Sequence, residues 1–178
     1  MSTLLKIVQA GEPVLRVRGR DLSPAEITGP EIQQLIEVMR ETMRDAPGVG
    51  LAAPQVGVPL QLAVIEDIGD SDAQERKPVP FHVIATPRLT LGDEVVEQYE
   101  GCLSVDGFQA VVPRARAVTV EALDHRGQPV TIRASGWYAR ILQHEIDHLN
   151  GTLYFDRMKT RTFSSARNMA RVRGRAEE

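Results

Sequence analysis

Residues 143–151 read QHEIDHLNG. His144 and His148 are four apart, so on a helix their imidazoles rise from one face. Such a pair can hold one cation about 2 Å from each ring nitrogen. Glu145 is turned by about 100° around that helix. It can reach a water beside the cation without being forced to bind the cation, which is the place a general base needs. The pattern H-E-x-x-H therefore predicts a metal-binding helix. A catalytic centre of this type takes three protein ligands and keeps one position open, so a third ligand must come from elsewhere.

Two known routes to that ligand fail or are weak. Extending the motif to a further histidine puts Gly151 in place but meets Tyr154 where the histidine should stand. A glutamate from a later helix is a weak source, because after Asp156 only Glu177 and Glu178 remain, at the extreme terminus. The residues still open are Cys102, the single cysteine, and His82 and His125. A thiol beside a two-histidine helix would be deprotonated by the metal and would complete a His2Cys set.

Ser135 stands where an N-cap is wanted, and Gly151 where a helix ends, so the metal helix is read over 136–151. Trp137, Ile141, His144 and His148 share its broad face. Upstream, Ile32, Leu35, Ile36, Met39 and Met43 recur at helical spacing over 31–45, with Pro30 near the start and Pro47-Gly48 near the end. Between the helices lie short β-rich runs at 60–66, 81–86 and 94–100. The alternating run 116–124 is followed by the turn DHRG and a partner strand at 128–134. The polar run 69–80 reads as a loop, and a third helix is expected over 160–172. Strands cluster between helices without β-α-β alternation, so the expected class is α+β, with short antiparallel sheets packed around the metal helix.

The chain of 178 residues suits one domain with a sizeable core. With 42% hydrophobic and 25% charged residues it has an ordinary globular composition. Its apolar runs are too short for a membrane span, and its first residues lack the pattern of a signal or transit peptide. A cytoplasmic, bacterial setting is expected, with neither DNA nor a membrane as partner. One cysteine excludes an intrachain disulfide. Residues 157–178 carry seven Lys/Arg against two Glu, while the rest carries fourteen against twenty-two Asp/Glu. A basic tail on an acidic body is a candidate ribosome contact.

Three stretches together, GVGLAAPQVG (48–57), EGCLS (100–104) and QHEIDH (143–148), resemble peptide deformylase in content, order and spacing. The likeness extends to KIVQAGEPVLR near the amino terminus and HLNGTLYFDRM after the metal helix, about residues 5–160. The resemblance implies that Cys102, His144 and His148 bind one divalent ion. It implies Fe(II) natively, with Zn(II), Ni(II) or Co(II) as alternatives. It implies removal of the N-formyl group from the initiator methionine of nascent polypeptides, with release of formate. Glu145 would act as base and acid, and the Gln55 amide and the Leu103 backbone N–H would donate to the oxyanion. Gly50 would hydrogen-bond the peptide backbone. Val49, Trp137, Ile141 and His144 are the candidates for the methionine pocket, and Glu100 and Ser104 would support the metal ligands. EGCLSVDGFQAVVPRA and SGWYARILQHEIDHL look like the organellar-type branch of the family. Many bacterial members carry Pro and Arg where this chain has Asp106 and Gln109, so peptide residues beyond methionine are expected to be held differently.

Overall fold

A computed structural model describes residues 4–69 and 76–176, without the side chains of the last four. Its architecture is α+β. One five-stranded antiparallel sheet contains β1 (Gly50–Ala52), β2 (Leu62–Asp67), β3 (Val79–Leu91), β6 (Ala117–Leu123) and β7 (Pro129–Ser135), neighbours in that order. A second sheet holds β4 (Val95–Cys102), β5 (Val105–Ala115) and β8 (Ser164–Ser165). The helices are α1 (Pro24–Ile27), α2 (Pro30–Asp45), α3 (Gly136–Leu149) and α4 (Ala166–Ala176).

At β1 and β2 the sheet is buried on both faces, whereas β6 and β7 leave alternate residues exposed, and β2 shows why the first part is enclosed. Side chains alternate along a strand. Leu62 and Val64 join a cluster with Ile36, Met39 and Met43 of α2. Ala63 and Ile65 join another with Leu142, Ile146 and Leu149 of α3. The stripe read from sequence on α2 is thus core: Ile36, Met39 and Met43 are buried, and Ile32 and Leu35 pack at its edge. Truncating Met39 to alanine would cost about 2–5 kcal/mol through lost transfer energy and the cavity left behind.

The metal helix spans Gly136–Leu149, so it stops two residues before Gly151. Ser135 precedes it in extended conformation but makes no side-chain cap. Gly151 has a different task from a simple stop. Its φ is +74°, and a Cβ there would lie 2.7 Å from the carbonyl carbon of Arg16. Only glycine lets the amino-terminal segment cross the end of α3, where Gly19 N–H donates to the Leu149 carbonyl at 2.9 Å.

Two sequence expectations need correction. The helix expected over 160–172 begins at Ala166. Before it, Thr160–Thr162 forms a 3-10 turn, and Ser164 and Ser165 pair with Gln109 and Phe108. The edge of β5 captures this segment: Val111 N–H donates to Thr162 Oγ1 and Lys159 N–H to the Val111 carbonyl, both at 2.8 Å. Ser165 Oγ then accepts from Asn168 N–H, as an N-cap does. The second correction is β5 itself, which the sequence reading lacked because Gly107 and Pro113 interrupt it. Val111 points its N–H away from β4, so Pro113, two residues on, loses no bond to β4. Of the loop read over 69–80, residues 70–75 lie outside the described residues, and Val79–Pro80 already belong to β3.

Candidate metal centre

β4 and β5 form a hairpin whose turn is Leu103–Ser104, with Cys102 opposite Val105. A register shift between Gly101 and Cys102 marks an irregularity at the strand end, a common device for re-aiming a side chain. It brings the thiol against α3. Cys102 Sγ lies 3.2 Å from His148 Nε2, which lies 3.2 Å from His144 Nε2. The three ligand atoms all fall within 4.8 Å of one another. Two imidazole nitrogens on one tetrahedral ion would stand about 3.3 Å apart, so the spacing fits.

The electrostatics fit a cation as well. His144 Nδ1 lies 3.1 Å from Glu100 Oε2. Donation of its Nδ1–H to that carboxylate leaves the Nε2 lone pair facing the cluster. Burial opposes charge on His144, but Cys102 and Glu100 outweigh it and raise its pKa well above the usual value. His148 is held neutral, first by burial and then by His144. Its Nδ1 is buried with no hydrogen-bond partner.

Glu145 is buried, which pushes its pKa up to about 7. Its Oε2 also has no partner. Gln55 is oriented by its own backbone neighbour: Ala52 N–H donates to Oε1 at 2.9 Å. Its Nε2 therefore faces Ser104 Oγ at 3.2 Å and Cys102 Sγ at 3.6 Å. Ser104 N–H donates to Cys102 Sγ at 3.4 Å.

A cavity of about 550 Å³ opens onto this cluster. It is bordered by every residue expected at the catalytic and substrate sites: Gln55, Leu103 and Glu145, and Val49, Gly50, Trp137, Ile141 and His144. The rival ligands lie elsewhere. His82 Nδ1 is 2.9 Å from the Pro80 carbonyl and its Nε2 is 2.9 Å from Tyr138 Oη, while burial lowers its pKa. His125 sits at a turn, its carbonyl accepting from Gln33 Nε2 at 2.8 Å.

Behind the ligands lies a buried ionic network that sequence reading missed. Arg114 donates to both oxygens of Glu100, at 2.9 and 3.0 Å, and to Asp147 at 2.5 Å. Arg140 donates to Glu100 at 2.6 Å, and Arg157 grips Asp147 at 2.7 and 2.8 Å. Burial would raise the Glu100 pKa, but hydrogen bonds from His144 and Arg114 prevail and hold it well below the carboxylate range. The available signal was Arg140 itself, a charge one turn before His144 on the inward face of α3. Gln143 adds a clamp, exchanging bonds with the Ala115 N–H and carbonyl at 3.0 and 2.8 Å.

A helix presenting two histidines, a strand end presenting a cysteine sulfur and a buried carboxylate beside them make a set able to hold one metal ion and handle a proton next to it. The polypeptide deformylase family model matches residues 4–164. The chain is 49% identical over 173 residues to peptide deformylase 1A, chloroplastic, of Solanum lycopersicum, covering 92% of this chain and 62% of that protein. It is 46% identical over 172 residues to peptide deformylase 3 of Streptomyces avermitilis, covering 93% and 76%. The chain thus spans less than two thirds of its plant relative. Among solved structures, the Met-Ala-Ser-bound class I type b peptide deformylase of Acinetobacter baumannii superposes with a TM-score of 0.84 at 33% identity, covering 89% of this chain and all of that one. The chain belongs to the polypeptide deformylase family.

Proposed function

We propose that this chain hydrolyses the N-formyl group of formylmethionyl nascent peptides, releasing formate and a free amino terminus. The observation that carries the reading is the convergence of Cys102, His144 and the buried His148 beside a cavity that Cys102, His144 and Glu145 border, where the buried Glu145 Oε2 has no partner. Cys102, His144 and His148 would hold one divalent ion, Fe(II) natively, with Zn(II), Ni(II) or Co(II) as substitutes. When bound, that ion lowers the pKa of water and stabilises negative charge on the formyl oxygen.

Glu145 takes a proton from the attacking water and delivers it to the departing amine nitrogen. A base is best tuned when its pKa lies near the working pH, and burial of Glu145 moves it that way. Gln55 Nε2 and the Leu103 backbone N–H donate to the oxygen of the tetrahedral intermediate. The Ala52 contact holds the Gln55 amide ready before substrate arrives, and one such donor is typically worth about 2.7–4 kcal/mol. Gly50 pairs with the peptide backbone, while Val49, Trp137, Ile141 and the carbon face of His144 enclose the methionine side chain.

The reading places the chain where polypeptides begin with formylmethionine, in a bacterial cytoplasm. The basic segment from Arg157 onwards would strengthen contact with the ribosome. Exposed Arg167 and Arg171 on α4 support that assignment. Formate release from formyl-Met-Ala-Ser by anaerobically prepared, metal-loaded protein tests the reaction. Cleavage of an end-blocked peptide at an internal bond, without formate release from the formyl peptide, would overturn it in favour of an endopeptidase.

A further inference from the structure

A second cavity, of about 640 Å³, lies between the two sheets. It is bordered by Val79 of β3, Val96 of β4 and Ala134 of β7, and by the charged side chains of Lys77, Arg116 and Arg133. Among the described residues, Arg140 alone borders both this cavity and the one above the metal cluster. On α3 it belongs to the wall formed by Trp137, Ile141 and His144. Its side chain is only 4% exposed. A buried charge is costly unless paired and hydrogen-bonded, and this one is both. Nη1 donates to Glu100 Oε1 at 2.6 Å and to the Val112 carbonyl at 2.9 Å. Nη2 donates to the Val96 carbonyl at 2.7 Å. The guanidinium is thereby tied to both strands of the β4–β5 hairpin, which removes the rotamer freedom of a long side chain.

We propose that Arg140 is a specificity-determining residue: its guanidinium is the partition between the methionine pocket and the second cavity, and it sets the longest first side chain the pocket accepts. The inference rests on reading the first cavity as the methionine pocket. A chain longer than methionine would have to displace the guanidinium from Glu100 and from both strand carbonyls. Shortening residue 140 instead joins the two spaces, and a longer unbranched side chain passes into the second.

The test measures kcat/KM on formyl-X-Ala-Ser peptides, with X methionine, norleucine, 2-aminooctanoate or 2-aminodecanoate. The proteins are metal-loaded wild type, Arg140→Ala, Arg140→Lys and Arg140→Phe, with bound metal quantified in each. All three variants lose activity on methionine, because Glu100 loses the hydrogen bond from the Arg140 guanidinium, so the readout is the ratio of aminooctanoate to methionine. Arg140→Ala raises that ratio about tenfold or more, the scale on which apolar pockets discriminate methylenes. Arg140→Lys raises it less, and it keeps a cation for Glu100 should the alanine variant fail to fold. Arg140→Phe leaves it unchanged, since it removes the charge but keeps the bulk. A merely structural role would lower kcat in all three without moving the ratio. An unchanged ratio in both Arg140→Ala and Arg140→Lys, with formyl-Met still hydrolysed, overturns the partition. An equal rise in Arg140→Phe does so too. Absence of formate release from the wild type is a separate failure, of the methionine reading and of the partition with it.

Discussion

A Cβ on Gly50 would lie 2.3 Å from Oε1 of Glu145 and 2.6 Å from its carboxyl carbon. Glycine at the edge strand β1 is therefore what lets the carboxylate stand where it does. The Gly50→Ala variant must push Glu145 aside by an ångström-scale shift. A misplacement of that size can cost about 10²-fold. Formate release should fall by that order while metal content, set by other residues, stays unchanged. Near-normal activity in the variant would show that Glu145 does not need its present position.

Arg114 is the keystone of the network behind the ligands, 4% exposed and shared by Glu100 and Asp147. Removing one partner from a buried ionic set leaves charge uncompensated, at about 3–5 kcal/mol. Arg114→Ala should lower unfolding stability by that amount in denaturant titration. Because Glu100 also orients His144, it should weaken metal binding too. A variant as stable as wild type would show that water already solvates these carboxylates.

Acid stability follows from the carboxylates on the surface. Backbone and hydroxyl donors of Ser23, then Arg20, lower the Glu26 pKa from 4.5 to about 2. Arg44 lowers that of Glu66. For Asp156, burial acts upwards but Arg16 and the Leu153 N–H prevail and lower it. A folded-state pKa below the unfolded value means the unfolded chain binds more protons as pH falls. This contribution is whole above about pH 5 and is lost as pH drops towards about 2. Melting temperature should fall progressively across that window at constant ionic strength. A flat profile would contradict the assignment.

Truncation after Ser165 removes α4 but keeps Lys159, Thr162 and β8 on the edge of β5. Hydrolysis of a formyl tripeptide should remain within a few-fold of the full chain. Binding to purified ribosomes should weaken, and the difference should shrink with added salt, as expected for screened charges. Ribosome binding that the truncation leaves unchanged would remove the basic segment from the account.

Much of this site was legible because its chemistry is local. Two histidines four apart and a glutamate between them need only a helix to become a face. Cys102 was harder. In sequence it competed with His82 and His125, and only packing commits His82 to Pro80 and Tyr138. The helix α2 was readable from its apolar stripe, whereas β5 was hidden by Pro113, whose tolerance depends on which side faces β4. The start of α4 was misread because capture of residues 159–165 by the β5 edge is a tertiary event that no local pattern announces. Arg114 and Arg140 stood in view as charges, but their partners lie on strands and a helix far away in sequence.

The most direct measurement is formate release by Glu145→Gln, prepared anaerobically beside wild type, with metal quantified in both. The glutamine keeps the size and polarity of the side chain but cannot accept the proton. The account predicts wild-type metal content and a rate lowered by at least about 10²–10⁴-fold, the usual contribution of a positioned base. A variant that holds its metal and still releases formate at the wild-type rate would contradict it.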